Sequence, residues 1–383
     1  MSVTFAKGFT ASGVKAKIKS SDKHDVALVV NEGPLFASAA VFTSNKFKAA
    51  PVLWSQEIMK TGQIKAVILN SGGANACTGP DGFADTHQTA EHVAKILNVA
   101  PINVAVCSTG LIGERLPMDK LLTGCDLAKA ALSNTGGSDA ALAIMTTDSV
   151  PKVSELEVNG FRIGGMAKGA GMLAPGLATM LVCITTDAVV DPIDLDNALK
   201  AAVNVSFNRI DSDGCMSTND TVLLLANGAS GIKPDVLQFN QALEKVCKDL
   251  ARQLIADAEG STKDINIKVV NANTEQDALE VARAVGRSNL LKCAIHGQDP
   301  NWGRVLAAAG TTNAKFEADN VDVSLNGVWV CRNGMTGDDR NLVSMQDRVV
   351  EIEINLNSGA SEVELWTNDL TAMYVHENSA YSS

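Results

Sequence analysis

Lys168-Gly169-Ala170-Gly171-Met172-Leu173-Ala174-Pro175-Gly176-Leu177-Ala178-Thr179-Met180-Leu181 is the stretch around which the chain is organised. Its first half is rich in glycine and is broken by Pro175. The residues that follow, Val182, Cys183, Ile184 and Thr185, are apolar or β-branched and favour a strand. Thr179 therefore stands where a loop enters a buried strand. Two chemistries can use that position. The hydroxyl can attack the carbonyl before it, at the Ala178–Thr179 bond, and free an N-terminal threonine whose α-amine serves as its base. Alternatively, the glycine N–H groups can cradle a phosphate. A buried connector with no chemistry is the third reading, since threonine is common at strand entries.

Upstream, Val26 to Val30, Ala39 to Thr43 and Ile64 to Leu69 read as short buried strands, with Glu32-Gly33-Pro34 as a turn. The last runs into Asn70-Ser71-Gly72-Gly73-Ala74-Asn75-Ala76-Cys77-Thr78-Gly79, which opens a helix to about Leu97. A Gly- and Asn-rich loop at a helix start can hold an anion, although it lacks a Walker or dinucleotide fingerprint. Val104 to Ser108 is the next strand and ends in Ser108-Thr109-Gly110-Leu111-Ile112-Gly113. There the Thr109 hydroxyl and Gly110 N–H could donate to an oxyanion, or simply make a turn. Helices are predicted after Leu116-Pro117 and over Asp139 to Met145, the latter capped by Ser138 and stopping at Thr146-Thr147-Asp148. Glu155 to Gly164 reads as a hairpin leading into the Lys168 loop.

Downstream, Asp194 to Ala202 and Val236 to Ala258 have the apolar spacing of amphipathic helices. Between them, residues 206–221 are dense in Asp, Asn and Ser. They lack the twelfth-position Glu of a calcium loop and read as a loop packed by its own side-chain hydrogen bonds. Ile265 to Val270 is a predicted strand, Thr274 to Val285 a helix, and Gly297 to Arg304 a turn-rich loop opening another helix. Val321 to Leu325, Val349 to Leu356 and Glu362 to Thr367 read as strands. The tail carries Tyr374 and Tyr381 and is expected to dock rather than fray. The whole is α/β or α+β, with mixed sheets flanked by helices.

At 383 residues, 46% hydrophobic and 20% charged, the chain reads as a globular protein of two lobes. A net charge of −11 and few aromatic residues argue against a nucleic-acid partner. No run is long and apolar enough for a membrane span or a secretory signal, and the N-terminus with Lys7, Lys15, Lys17 and Lys19 reads as a first strand with exposed lysines in preference to an organellar transit peptide. The eight cysteines contain no C-x-x-C pair, and His87 and His92 stand five apart, which misses the i, i+4 spacing of a helical metal pair. No metal and no cofactor are expected, and the thiols point to a reducing, cytoplasmic setting.

Residues 168–181 resemble the self-cleavage site of the ornithine acetyltransferase (ArgJ) family. The runs at 70–79, 108–113, Ser217-Thr218-Asn219-Asp220-Thr221, Asp299-Pro300-Asn301-Trp302-Gly303-Arg304 and Glu377 to Ser383 are similar to that family too, in its order and end to end. The resemblance implies a DmpA/ArgJ-like α/β sandwich and a precursor cut between Ala178 and Thr179. The products would be an α chain, 1–178, and a β chain, 179–383, assembled as α2β2. It implies acetyl transfer from N2-acetylornithine to glutamate through an acetyl-enzyme on Thr179, and it leaves open acetyl-CoA as a second donor. By the same resemblance Thr109 and Gly110 form the oxyanion hole, and Thr146, Lys168, Thr179, Glu259, Asn378 and Ser383 contact substrate. Without it, Lys168 and Glu259 would read as solvated surface charges. Gly176 and Ser212 depart from the family pattern, where Asn or Ser and an apolar residue are usual. Two rivals stand beside this reading: a self-processing aminopeptidase or amidase of the same architecture, and an uncleaved protein that binds a small anion.

Overall fold

The computed structural model describes residues 1–174 and 180–380; residues 175–179 and 381–383, including Gly176, Ala178, Thr179 and Ser383, lie outside the described residues. Two sheets make the first lobe. A four-stranded sheet runs in the order Phe9–Val14, Val26–Asn31, Ala66–Asn70, Val104–Ser108, antiparallel except for its last pair. A five-stranded sheet runs in the order Ala37–Phe42, Thr221–Ala226, Leu181–Thr186, Phe161–Lys168, Lys152–Val158, with only Leu181–Thr186 and Thr221–Ala226 parallel.

Why these strands are runs of apolar residues follows from where their two faces go. Ala27, Val29, Val67, Leu69, Ala105 and Cys107 share one core with Met166, Leu181, Cys183, Leu223 and Leu225, so the two sheets face each other. The alternate residues Val26, Leu28, Ala66, Ile68 and Val106 turn outward onto helices Gly79–Leu97 and Met118–Ala130. On the other side Val182, Ile184, Val222 and Leu224 meet helices Pro192–Asn204 and Val236–Ala256. Strands buried on both faces show no polar alternation, which is why they were legible as continuous apolar runs. The result is the expected α/β sandwich, with sheet on sheet and helices outside.

A second lobe holds a six-stranded sheet in which Asp264–Ala272, next to the edge, pairs parallel with Val349–Asn355 and antiparallel with Ser361–Asn368. Helices Glu275–Gly286, Asn289–His296 and Trp302–Ala309 pack their apolar residues on it. The five-stranded sheet draws strands from both sides of residues 178 and 179, so a cut there would leave two chains sharing one sheet. None of the described helices is long and apolar enough to cross a membrane.

One expected cap is corrected. The helix runs Gly137–Ala143 with Gly136 at its N-cap and no side-chain cap bond, so Ser138 lies inside its first turn. The reason is packing: a Cβ at Gly136 would sit 1.9 Å from the Ala11 carbonyl oxygen, and one at Gly137 1.9 Å from that of Met1. The glycine pair lets the helix start two residues early, against the N-terminal strand.

Candidate active site

Lys168 ends its strand in register with Leu181, and the loop between them carries residues 169–180. Strand alternation puts Lys168 on the same face as Met166, between the two sheets. The lysine is consequently buried, only 1% exposed, and its Nζ donates to Thr109 Oγ1 at 3.2 Å. Thr109 lies just past the end of Val104–Ser108, on the opposite sheet. The reading of Lys168 as a solvated charge is therefore excluded. Burial pushes its pKa down, and Asp148 opposes that shift.

Three of the glycine- and polar-rich runs converge here. Asn219 crosses between the sheets, its Nδ2 donating to the carbonyls of Ala74 at 2.6 Å and Ser108 at 2.8 Å. The Gly73 N–H donates to the Thr109 carbonyl, and the Thr109 N–H donates to that of Asn70. Gly110 has φ +133, and a Cβ there would lie 2.8 Å from the Gly73 nitrogen, so only glycine fits. Among the described residues the Thr109 hydroxyl only accepts a hydrogen bond, and the Gly110 N–H has no partner. The residue after Thr179 is also held: the Met180 N–H donates to Asp220 Oδ1 at 3.1 Å. Burial raises the Asp220 pKa well above the usual carboxylate value.

Thr109, Gly110, Thr146, Lys168, Glu259 and Asn378 line a cavity of about 230 Å³, with Gly171, Asp213, Cys215 and Tyr374 also on its wall. Glu259 is 8% exposed, so it too is no solvated charge. Its N–H donates to the Ala170 carbonyl, and its Oε2 accepts from Asn378 Nδ2 at 2.9 Å. The tail docks as expected: helix Ala372–Ala380 is anchored where the Thr371 hydroxyl donates to the Gly260 carbonyl at 2.7 Å. All the described members of the expected site thus share one cavity, while Thr179 and Ser383 lie outside the described residues. The run at 299–304 is not part of it. Trp302 packs on the second-lobe core and Arg304 Nη1 donates to the Leu290 carbonyl.

The 206–221 loop is held by its own polar groups, as expected: Asp213 accepts from the Cys215 N–H, and Ser217 from that of Asn219. Ser212, the departure from the family pattern, donates to Asn368 Oδ1 at 2.7 Å, which satisfies its hydroxyl away from the cavity wall. None of Gly171, Asp213, Cys215 and Tyr374 is among the substrate contacts that the sequence implies. Gly171 is constrained by space, since an added Cβ would lie 2.7 Å from Glu259 Oε2. Gly171→Ala is expected to displace that carboxylate and raise the acyl-donor KM about tenfold, with Tm little changed. Steady-state kinetics beside a thermal melt would check this; an unaltered KM would remove Glu259 from the ligand site.

The ArgJ family model matches residues 10–383. The chain belongs to the ArgJ family. A relative from Streptomyces coelicolor, arginine biosynthesis bifunctional protein ArgJ, is 62% identical over the whole of both chains. The crystal structure of arginine biosynthesis bifunctional protein ArgJ from Bacillus halodurans is 35% identical, covers 51% of this chain and 97% of its own, and superposes with a TM-score of 0.50. A solved ornithine acetyltransferase from Mycobacterium tuberculosis, complexed with ornithine, is 57% identical, covering 47% of this chain and 96% of its own, with a TM-score of 0.45. As an ArgJ family member the protein is an acyltransferase, a glutamate N-acetyltransferase.

Proposed function

We propose that the protein moves an acetyl group from N2-acetylornithine to glutamate by a ping-pong route, after cutting itself between Ala178 and Thr179. The observation that carries this is a small cavity lined by a buried lysine, a buried carboxylate and two donors, the Thr109 hydroxyl and the Gly110 N–H, that are unpaired among the described residues. An amino acid bears both charges. Lys168 meets its carboxylate and Glu259 its ammonium, with Thr146, Asn378 and Ser383 orienting it. The volume, about 230 Å³, suits a ligand of amino-acid size.

In the first half-reaction Thr179 Oγ bonds to the acetyl carbon while its proton passes to the α-amine of Thr179. The tetrahedral oxyanion receives the Thr109 hydroxyl and Gly110 N–H. The C–N bond to ornithine then breaks, and the stored proton goes to the departing amine. In the second half-reaction the amine of glutamate attacks the acetyl ester, its proton returns through the same base, and Thr179 Oγ leaves as the alcohol. A free α-amine, with a pKa of about 7.7–8.0, suits that work near neutrality.

Self-cleavage gives the base its existence. It is supported by the Bacillus halodurans match, which spans nearly all of the solved chain but about half of this one. We expect the α chain, 1–178, and β chain, 179–383, to remain together because their strands share a sheet, and two such pairs to form α2β2. The name bifunctional on the Streptomyces relative favours acetyl-CoA as a second donor. A cytoplasmic setting suits the eight cysteines, which are all free thiols.

The competing reading, an amidase of the same architecture, ends with water as the acceptor. Product analysis separates the two: N-acetylglutamate should form only when glutamate is present, with little free acetate, whereas acetate at the same rate with and without glutamate would select the amidase. Removal of residues 378–383 is expected to raise the apparent KM for N2-acetylornithine about tenfold or more, because Glu259 loses the Asn378 amide. Unchanged kinetics in the truncated protein would take the tail out of the site.

A further inference from the structure

Behind the cavity lies an aspartate to which the acetyl-transfer reading gives no task. Asp148 is 3% exposed. Its Oδ1 accepts from Lys152 Nζ at 2.5 Å and from the Gly169 N–H at 2.7 Å. Its Oδ2 accepts from the Thr146 N–H at 2.9 Å and from the Thr146 hydroxyl at 3.4 Å. One carboxylate thus ties the segment bearing Thr146 to the residue that follows Lys168, across 21 positions of sequence.

The charges around it are unevenly provided for. Lys152 has a second carboxylate partner, Asp257, whose other oxygen accepts from the Ser149 hydroxyl. Lys168 donates to the neutral Thr109 hydroxyl and forms no ion pair among the described residues. It therefore depends on the field of nearby carboxylates to stay charged while buried.

We propose that Asp148 is a positioning residue for the acyl donor, holding Thr146 and Lys168 together as one receptor for the substrate carboxylate. The proposal rests on the reading that Lys168 meets that carboxylate. The charges that face Lys168 support it. Burial lowers the Lys168 pKa, and Asp148 is foremost among the groups that oppose this, followed by Asp220 and Glu259; Lys152 acts in the other direction, and Lys19 is a further cation nearby. Burial alone would raise the Asp148 pKa, but Lys168, Lys152 and the Gly169 N–H bring it to about 2, so it is a carboxylate throughout the neutral range. Because the ammonium is the charged form below its pKa, losing Asp148 moves the loss of the Lys168 charge to lower pH.

The test compares wild type with Asp148→Asn, using two donors across neutral and mildly alkaline pH. One is N2-acetylornithine; the other is the acetylated diamine of the same length, which lacks the carboxylate. For the variant, the KM for N2-acetylornithine should rise about tenfold or more, and its alkaline increase should begin at lower pH than in wild type. The diamine, having no carboxylate to lose, should show no matching fall in kcat/KM. Equal losses for both donors with an unmoved pH profile would mean a merely structural aspartate and overturn the proposal, as would unchanged kinetics. If Asp148→Asn does not fold, Asp148→Asn with Lys152→Met removes the buried charge imbalance, and the same two readouts apply, since Lys152 influences Lys168 less than Asp148 does. A wild type with no preference for the carboxylate-bearing donor would instead overturn the Lys168 reading, and this proposal with it.

Discussion

Thr179→Ala should yield an uncut chain of 40.1 kDa that neither forms an acetyl-enzyme nor turns over. On the proposed mechanism two functions vanish together: the hydroxyl that attacks, and the α-amine that exists only after cleavage. A loss of activity on the order of 10⁴-fold or more is expected, because nucleophile and base act as one unit. Thr179→Ser keeps the hydroxyl and should retain processing at a reduced rate. The fold should be unaffected, since the strand that begins at Leu181 is held by its own ladder on both sides. Far-UV circular dichroism and denaturing electrophoresis read both properties on one sample. A Thr179→Ala protein that is cut normally, or that still transfers acetyl groups, would end the nucleophile reading.

Thr109→Ala carries the second-largest expected effect. Removing one preorganised oxyanion donor typically costs about 2.7–4 kcal/mol of transition-state stabilisation, or roughly 10²–10³ in kcat. The structure adds a reason for the hydroxyl to be available: its oxygen already accepts from Lys168, which leaves its proton for the ligand. The same bond brings a side effect. Without the Thr109 oxygen the buried Lys168 ammonium loses a partner, so a KM increase should accompany the fall in kcat. Thr109→Ser restores the oxygen and should recover most of both. If Thr109→Ala lowers Tm sharply and leaves kcat intact, the residue is structural and the oxyanion hole lies elsewhere.

The architecture was readable wherever burial makes a continuous signal. Val104 to Ser108 was placed as it stands, and Val26 to Val30 fell one residue short, because strands covered on both faces are apolar at every position. Helix Ala50–Ile58 was missed; it is short, with Pro51 in its first turn, and its apolar face is weakly marked. Strand Thr221–Ala226 is masked in the sequence by the polar run that leads straight into it, whose Asn219 is the tie between sheets.

The site was legible in part for a related reason. Thr109, Gly110 and Lys168 lie in motifs resembling one family, Glu259 is a contact that the same resemblance implies, and the fold brings all four to one cavity. Their burial was not legible, since a lone Lys or Glu in a loop-like run gives no sign of where strand alternation will send it. Asp148 was invisible for a plainer reason. It followed a predicted helix as a stop signal, and its significance comes from Gly169 and Lys168, which only the tertiary structure sets beside it. The 299–304 run shows the converse: a motif that helps to recognise the family and yet serves the second lobe's packing.

The central claim is an acetyl-enzyme on a newly exposed Thr179. Its most direct test is the intact mass of the purified protein under denaturing conditions, before and after incubation with N2-acetylornithine in the absence of glutamate. The account predicts two fragments, the second beginning at Thr179, and a gain of one acetyl group confined to that second fragment and discharged when glutamate is added. A chain that stays at 40.1 kDa, or fragments that never acquire the acetyl group, would contradict it.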